Sequence, residues 1–377
     1  MRMGESVAAR RWRLAGLLLL LPAIQARAAL PPIRTVFVIV LENKSWSAMK
    51  GSSNAPYLNN MLLPTASYCE GYVNVPGLHP SLPNYLWMEA GTNFGIVDDN
   101  DPADDHQNTT NHLVTLLKSA GISWKTYQED ISGSTVPLTS VGGYTPRHNP
   151  FVYFDDVTGT NNPNYTYGIA HIRPYSEFAG DLTNNTVARY NFITPNLCHD
   201  GHDSCYPLYD PIRQADSWLS TQVPGILDSS AFQTAGVLFI TWDESLDPDS
   251  RIGMVVLSPF VRGGGYFNMN YYTHSSFLRT FHEIFSVGPF LGDAAAAADL
   301  SDLFTPLSLR VLKLPDSSIQ LTALSVVRGG TNIIQASSDL TTWTNVHTHN
   351  PTGNSFVFVD NDAMNFPRRF YRLVQLP

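Results

Sequence analysis

A serine lies between two prolines in the stretch GLHPSLPNYLWMEAGTN, which covers residues 77–93. The stretch predicts a helix from Leu82 to Ala90 that ends at Gly91, because glycine readily adopts the left-handed conformation that closes a helix. At the helix start the Ser81 oxygen has two alternative roles. It either caps a free amide of the first turn, or it is a nucleophile toward an anionic tetrahedral or phosphoryl group, which the amides and the helix dipole would attract. A metal ion on the hydroxyl would lower its pKa and favour the second role.

Polar side chains of the metal-ligand type follow the apolar runs of the chain. They are Glu42 and Asn43 after TVFVIVL, Asn196, His199, Asp200, His202 and Asp203 after YNFIT, Asp243 and Glu244 after GVLFIT, and His274 ahead of a later helix. Ligands of open parallel sheets bind beyond the carboxyl ends of the strands, so we expect these side chains to converge on one edge. Each acidic residue alone is also typical of a helix cap or a solvated turn.

Carboxylates packed together need a cation to offset their charge, and imidazoles and an amide are also metal ligands, so the set predicts one or two divalent metal ions. The oxygen ligands suit Mg, Ca or Mn, whereas the histidines suit Zn. The sequence leaves this choice open.

The elements that would position these residues alternate between strands and helices over residues 33–305. Apolar runs rich in β-branched or aromatic residues predict strands at TVFVIVL, ISWKTYQE, YNFIT, GVLFITW and GMVVLSPFV. Helical patterns lie between them at TNHLVTLLKSAG, DPIRQADSWLSTQVPGILDS and SSFLRTFHEIF. This alternation predicts an α/β fold with a doubly wound, mostly parallel sheet. A Gly-, Asn- and Pro-rich stretch at residues 133–164 is interpreted as a loop that forms a lid or rim over the site.

Changes in pattern divide the chain into a signal peptide at residues 1–28, a catalytic domain at residues 29–305 and a C-terminal module at residues 306–377. From Leu307 onward, short alternating runs separated by turn residues predict a small antiparallel β-sandwich. No long linker precedes this module, so we expect it to dock on the first domain or to lie beside it.

The first 28 residues have the basic, apolar and small-residue segments of a cleavable signal peptide, with RRWR before LAGLLLLLPAI. A retained anchor is the alternative. No later segment has the apolar length needed to span a bilayer. The segment holds five of the 23 basic residues and one of the 32 acidic ones. Cleavage therefore leaves 18 basic and 31 acidic residues, a net charge of −13. This charge argues against general binding to nucleic acid or to anionic membranes, and export predicts a secreted or periplasmic protein.

The chain has three cysteines, Cys69, Cys198 and Cys205. In an exported protein an odd number implies one bridge and one spare thiol. Cys198 and Cys205 are the preferred pair because they would close the short loop CHDGHDSC.

Five segments, VLENKSW, HPSLPNYL, ITPNLCHDGHD, ITWDES and YTHSSFLRTFHEIF, resemble in this order the motifs of the metal-dependent phosphoesterase family. That family includes bacterial acid phosphatases, non-haemolytic phospholipases C and phosphoinositide phosphatases, within the alkaline phosphatase superfamily. The resemblance covers residues 33–305. HPSLPN lacks the signature of the sulfatases that share the wider fold. The C-terminal segment SSDLTTW to RRFYRL instead resembles β-sandwich modules at the ends of exported bacterial proteins.

The resemblance implies a role for each matching position. Ser81 would be the nucleophile that becomes phosphorylated. The implied metal ligands are Glu42, Asn43, Ser81, Asp243, Glu244, His202 with Asp200 or Asn196, and His274. HDGHD departs from the expected Asp-x-His-Asp pattern, which leaves the ligand in this loop open. His79 would contact the phosphoryl oxygens or protonate the leaving group, or else be a packed loop histidine.

These inferences together give the hypothesis of an exported, metal-dependent phosphomonoesterase of the acid phosphatase type that acts through a phosphoserine. Lys44, Asn84 and His199 are expected to contact the substrate, a phosphate ester, although a solvated lysine is the simpler interpretation of Lys44. A phospholipase C-like diesterase is one alternative. The other is an inactive surface-binding protein whose C-terminal module contacts the cell envelope or a polysaccharide.

Overall fold

The computed structural model describes residues 30–246 and 251–376. The predicted signal peptide and the first residue of the predicted catalytic domain lie outside these residues. Across the described part of the chain, every helix is too short or too polar to cross a membrane.

The strands of the described residues form one large sheet and two small ones. They are β1 (Thr35–Leu41), β2 (Ser67–Cys69), β3 (Trp124–Gln128), β4 (Ile172–Pro174), β5 (Tyr190–Thr194), β6 (Gly236–Trp242), β7 (Met254–Leu257), β8 (Tyr266–Asn268), β9 (Ser308–Lys313), β10 (Ile319–Leu324), β11 (Asn332–Ser337), β12 (Thr344–His349), β13 (Ser355–Asp360) and β14 (Phe370–Gln375).

The helices are confined to the first three hundred residues, apart from short turns. The α-helices are α1 (Trp46–Met49), α2 (Ser81–Ala90), α3 (Pro102–Asp105), α4 (Leu113–Ser119), α5 (Asp155–Thr158), α6 (Thr166–His171), α7 (Phe178–Thr183), α8 (Pro211–Asp228), α9 (Ser230–Ala235) and α10 (His274–Phe285). A π-helical turn covers Leu58–Leu62, and 3₁₀ turns cover Pro146–His148, Pro150–Tyr153, Tyr175–Glu177, Gly292–Ala295, Ser301–Leu303 and Asn361–Asn365.

The large sheet has the order β4-β3-β5-β1-β6-β7-β2-β8. All neighbouring strands from β4 to β6 pair in parallel, and only β7 runs against its neighbours in the described sheet. β1 lies in the middle, and all of its residues after Thr35 are buried. Such a continuous apolar run is typical of a parallel strand covered on both faces.

Helices cover both faces of this sheet. Val38 of β1 is in register with Phe239 of β6, so Phe37 points to the opposite face from Phe239. Phe239 packs against Phe277 and Phe281 of α10, with ring centroids 5.7 and 5.4 Å away, whereas Phe37 packs against Phe178 of α7 at 6.1 Å. The predicted α/β fold with a doubly wound, mostly parallel sheet is confirmed.

The C-terminal strands form two three-stranded antiparallel sheets, β13-β10-β9 and β12-β11-β14. They share a small core of their own, made of Leu321, Ala323, Val326, Ile334 and Phe356. This arrangement confirms the predicted small antiparallel sandwich. Its side chains also reach the first part of the chain: Ser325 Oγ donates to the carbonyl oxygen of Thr305 at 2.7 Å, and Asn354 Nδ2 donates to that of Pro259.

A buried carboxyl group lies in the helix that carries Ser81. Tyr190 donates its hydroxyl to Glu89 Oε1 at 2.5 Å, and Oε2 has no hydrogen-bond partner within the described residues. Burial raises the pKa of Glu89 from its ordinary value of 4.5 to about 8. The folded chain therefore binds a proton that the unfolded chain releases between these two pH values.

The consequence is a free energy of unfolding that falls as pH rises from 4.5 to about 8 and then levels off. Glu89→Gln removes the charge and keeps an acceptor for Tyr190. We expect it to raise the free energy of unfolding at pH 8 by about 4 kcal/mol and to flatten the pH profile. Urea denaturation at pH 5, 6.5 and 8 measures both effects, with the half-exposed Glu177→Gln as the control. An unchanged profile in Glu89→Gln would contradict the assignment.

Candidate functional site

Three loops that follow strands of the large sheet meet at one edge. Glu42 follows β1, Asp243 follows β6, and Asp200 lies in the loop after β5; all three are fully buried. The amide of Glu42 donates to the carbonyl oxygen of Asp200 at 2.8 Å, and the amide of Asn43 donates to Asp243 Oδ1 at 3.1 Å. These backbone contacts bring together carboxylates that are as much as 201 positions apart in the chain.

Ser81 faces this carboxylate cluster. It is the first residue of α2 and is 3% exposed, and its hydroxyl donates to Glu42 Oε2 at 3.1 Å. Its side chain does not cap the helix, because the first-turn amide of Leu82 donates instead to Asp99 Oδ1 at 2.9 Å. Asp99 therefore takes the capping role that the sequence left open for Ser81.

A histidine that the sequence analysis did not select lies at the centre of the cluster. His148 Nε2 is 3.4 Å from Glu42 Oε2, and His148 Nδ1 is 3.3 Å from Asp200 Oδ2. One potential ligand atom from each of these three buried residues lies within 4.8 Å of the others. Tyr85 stacks on the His148 ring, with centroids 5.4 Å apart, and donates its hydroxyl to Glu42 Oε1 at 2.5 Å. The only sequence signal is a histidine inside the loop at residues 133–164.

The electrostatics of the cluster fit a cation. Burial and then the charges of Asp243 and Asp200 raise the pKa of Glu42 well above its usual range. Burial also raises the pKa of Asp243, and that of Asp200 to about 7, while it lowers the pKa of His148 to about 3.

Three polar atoms of the cluster are also left without a hydrogen bond. His148 Nε2, Asp200 Oδ2 and Asp243 Oδ2 are buried and have no such partner in the part of the chain that the structure describes. Buried polar atoms without partners are costly. A divalent ion would satisfy them and offset the like charges, so the donor set fits a metal.

Glu244 lies beside the cluster and engages two other predicted residues. His79 Nδ1 is 2.6 Å from Glu244 Oε2, and Asn84 Nδ2 donates to the same oxygen at 3.0 Å. Burial and then the charge of Asp243 raise the pKa of Glu244 to about 9. His79 thus precedes Ser81 by two residues, and its Nδ1 contacts the Glu244 carboxyl group.

His274 is buried beneath the cluster, and both of its ring nitrogens are engaged. Nε2 donates to the backbone oxygen of Asp243 at 2.6 Å, and Nδ1 accepts from the Tyr72 hydroxyl at 3.0 Å. Burial lowers the pKa of His274 to about 4, which keeps the ring neutral. In this arrangement it fixes the backbone that carries Asp243, and its role as a metal ligand stays a prediction.

The loop after β5 brings only one of its polar side chains into the cluster. The ring of His202 lies 5.9 Å from that of His148, but its Nδ1 contacts Asp203 Oδ1 at 2.7 Å. His199 Nδ1 contacts Glu129 Oε2 at 2.7 Å, and this bond raises the pKa of His199. The sequence left Asp200 and Asn196 open as partners of His202, and Asp200 is the one inside the cluster.

The remaining predicted residues lie around this loop. Asn196 Nδ2 donates to Asp130 Oδ2 at 3.0 Å, and Lys44 Nζ donates to the backbone oxygen of Asn43 at 3.2 Å. Cys198 and Cys205 form a disulfide with a Cα–Cα distance of 5.6 Å, and Cys69 is a buried free thiol. The bridge closes the loop that carries Asp200.

Comparison with known proteins places this chain in a family. Residues 69–288 match the model of the Phosphoesterase family. The chain is 28% identical over 281 residues to phosphatidylinositol-3-phosphatase of Mycobacterium tuberculosis, covering 74% of this chain and 85% of that protein. It is 28% identical over 216 residues to a probable acid phosphatase of Kluyveromyces lactis and 30% identical over 171 residues to a phosphate-repressible acid phosphatase of Penicillium chrysogenum. These matches cover 55% and 44% of this chain but only 47% and 38% of the relatives.

Among solved structures, a protein of the alkaline phosphatase superfamily from Vibrio parahaemolyticus aligns with a TM-score of 0.48 at 9% identity. The alignment covers 85% of this chain and 84% of that one. The family model spans more than half of the 377 residues. The chain therefore belongs to the Phosphoesterase family and is a hydrolase of phosphoric ester bonds.

Proposed function

We propose that this protein is an exported, metal-dependent phosphomonoesterase that acts through a phosphoserine at Ser81. The observation that carries the proposal is the Ser81 hydroxyl, buried at a helix N-terminus and directed at Glu42 in a cluster suited to a cation. The relatives named acid phosphatase and phosphatidylinositol-3-phosphatase support monoester hydrolysis. Export is supported by the N-terminal sequence pattern and by the Cys198–Cys205 disulfide, a bond that persists in oxidising compartments. Contact of the C-terminal module with the envelope or a polysaccharide stays a prediction.

Glu42, His148 and Asp200 would hold the metal ion, with Asp243 beside them. Asn43, Ser81, Glu244, His202 and His274 remain the further ligands that the family resemblance implies. When bound, the ion would neutralise charge on the phosphoryl oxygens and stabilise the serine alkoxide.

The residues of this chain account for both halves of the reaction. Ser81 Oγ attacks phosphorus as its proton leaves along the hydrogen bond to Glu42 Oε2. The bond from phosphorus to the leaving oxygen breaks, and that oxygen takes a proton from His79, which Glu244 orients. Water then attacks the phosphoserine and gives a proton to His79, the Oγ–P bond breaks, Ser81 Oγ takes back the proton held by Glu42, and phosphate leaves.

An ester panel with and without a chelator tests this function. We expect p-nitrophenyl phosphate to be hydrolysed with a kcat/KM at least about tenfold above that of bis(p-nitrophenyl) phosphate. Treatment with EDTA should abolish turnover, and an added divalent ion should restore it. A mock treatment without EDTA, followed by the same dialysis, is the control. A preference for the diester would support the phospholipase C-like alternative, and activity that survives full metal removal would contradict metal dependence.

A further inference from the structure

A guanidinium group lies next to the cluster and belongs to Arg147, the residue before His148. Nη1 donates to Thr145 Oγ1 at 3.1 Å, and Nε lies 3.7 Å from Asp99 Oδ2. These are the two partners that the described residues provide, so the guanidinium keeps further N–H donors available. The side chain of Arg147 is 25% exposed, which leaves it open to a ligand.

Asp99 connects this guanidinium to the helix that carries the nucleophile. Its Oδ1 accepts from the amide of Leu82, the residue after Ser81, while its Oδ2 faces Arg147. The Asp99 carboxylate thus accepts from a first-turn amide of α2, and such amides at a helix N-terminus suit an anionic oxygen. One carboxylate therefore links the Arg147 guanidinium to the first turn of α2, directly after Ser81.

The site around Ser81 contains more carboxylates than cationic side chains. Glu42 accepts from the Ser81 hydroxyl, and Asp200 and Asp243 lie in the same buried cluster. Glu244 and Asp99 add two carboxylates that bond to Asn84 and Leu82 of the same helix. Lys44 is a second nearby cation, but its Nζ donates to the backbone oxygen of Asn43 and its desolvation lowers its pKa. The metal ion proposed above would offset part of this acidic charge, and a fixed guanidinium would add a second cation to receive a dianionic substrate.

We propose that Arg147 binds a non-bridging oxygen of the substrate's phosphoryl group and makes the site selective for phosphate monoesters over diesters. A monoester presents two negative charges and three unsubstituted oxygens, whereas a diester presents one charge and carries an organic group on one of those oxygens. The guanidinium is a fixed positive charge, so it gains more from the dianionic monoester than from the monoanionic diester, although both can accept two of its N–H bonds. Arg147 is in this view a substrate-binding residue, and Asp99 is its positioning residue. The inference rests on the proposed function and identifies its substrate class.

The alternative is structural: Arg147 would only support Asp99 and the start of α2. Loss of a structural support would lower the activity toward both ester classes equally and would leave the relative affinity for inorganic phosphate unchanged. The ratio of the two activities therefore separates the alternatives.

The test uses the full-length metal-loaded protein and Arg147→Met, which keeps the side-chain length and removes the charge. We expect kcat/KM for p-nitrophenyl phosphate to fall about 100-fold and that for bis(p-nitrophenyl) phosphate to fall less than about threefold. The inhibition constant of inorganic phosphate should rise at least about tenfold, and Arg147→Lys should recover part of each loss. Arg173→Met is the matched control, because Arg173 is similarly exposed and pairs with Glu177 at the far edge of the sheet.

Equal losses for both esters with an unchanged phosphate inhibition constant would overturn the proposal. A wild-type protein whose turnover does not depend on Ser81 would overturn the proposed function instead. In that case calorimetric titration with inorganic phosphate still tests Arg147, since binding needs no turnover. Wild-type affinity in Arg147→Met would then refute the assignment, and weakened affinity would support it.

Discussion

Ser81→Ala is expected to lower kcat for p-nitrophenyl phosphate by at least about 10³-fold while the fold and the metal affinity are kept. The variant removes the one hydroxyl that α2 directs at Glu42, and the remaining cluster holds no other nucleophile at this position. The cluster atoms of Glu42, His148 and Asp200 are untouched, so the predicted metal site should persist.

Two measurements check this expectation. Initial rates give the loss of turnover, and acid quenching with labelled substrate should trap phosphoserine in the wild-type protein and none in the variant. Ser230→Ala is the control, because Ser230 is also the first residue of a helix, α9, but this helix leads into the N-terminal end of β6, whereas Asp243 of the site follows its carboxyl end. Undiminished turnover in Ser81→Ala would refute the nucleophile.

His148→Gln is expected to weaken divalent metal binding by about 100-fold and to reduce turnover in proportion at limiting metal. The physical reason is the position of the imidazole between Glu42 Oε2 and Asp200 Oδ2, with a buried Nε2 that lacks a hydrogen bond among the described residues. Removing it leaves the carboxylates without their neutral nitrogen ligand. Metal titration by calorimetry measures the affinity, and metal analysis of the purified protein measures the occupancy.

The matched variant is His274→Gln, which removes the imidazole that the family resemblance assigned to the metal. Both nitrogens of His274 are engaged, by the Asp243 backbone and by Tyr72, so we expect its loss to cost less than about tenfold in affinity. An equal or larger loss in His274→Gln would show that the metal recruits His274 and that His148 is not the principal imidazole ligand.

The strand pattern and the residues at strand ends could be predicted from the sequence. β1 and β6 are continuous apolar runs, and burial on both faces is the only environment that such runs suit. Because the carboxyl ends of parallel strands share one edge, Glu42 and Asp243 could be expected to meet without knowledge of the loops. The position of Ser81 at a helix start followed from local rules in the same way, since prolines and glycine define the ends of a helix.

His148, Asp99 and Arg147 could not be identified from the sequence, and only the tertiary structure brings them to the site. His148 lies 106 positions from Glu42 and 52 from Asp200, inside a loop whose composition has no periodicity. A loop of this kind has no strand or helix pattern that would place a given side chain, so its path depends on packing. The same limit applied to His274. The family resemblance assigns it to the metal, but in the fold its ring hydrogen-bonds to the Asp243 backbone and to Tyr72. Local sequence thus determined which residues end the strands and begin the helix, whereas long-range packing decided which imidazole and which guanidinium reach them.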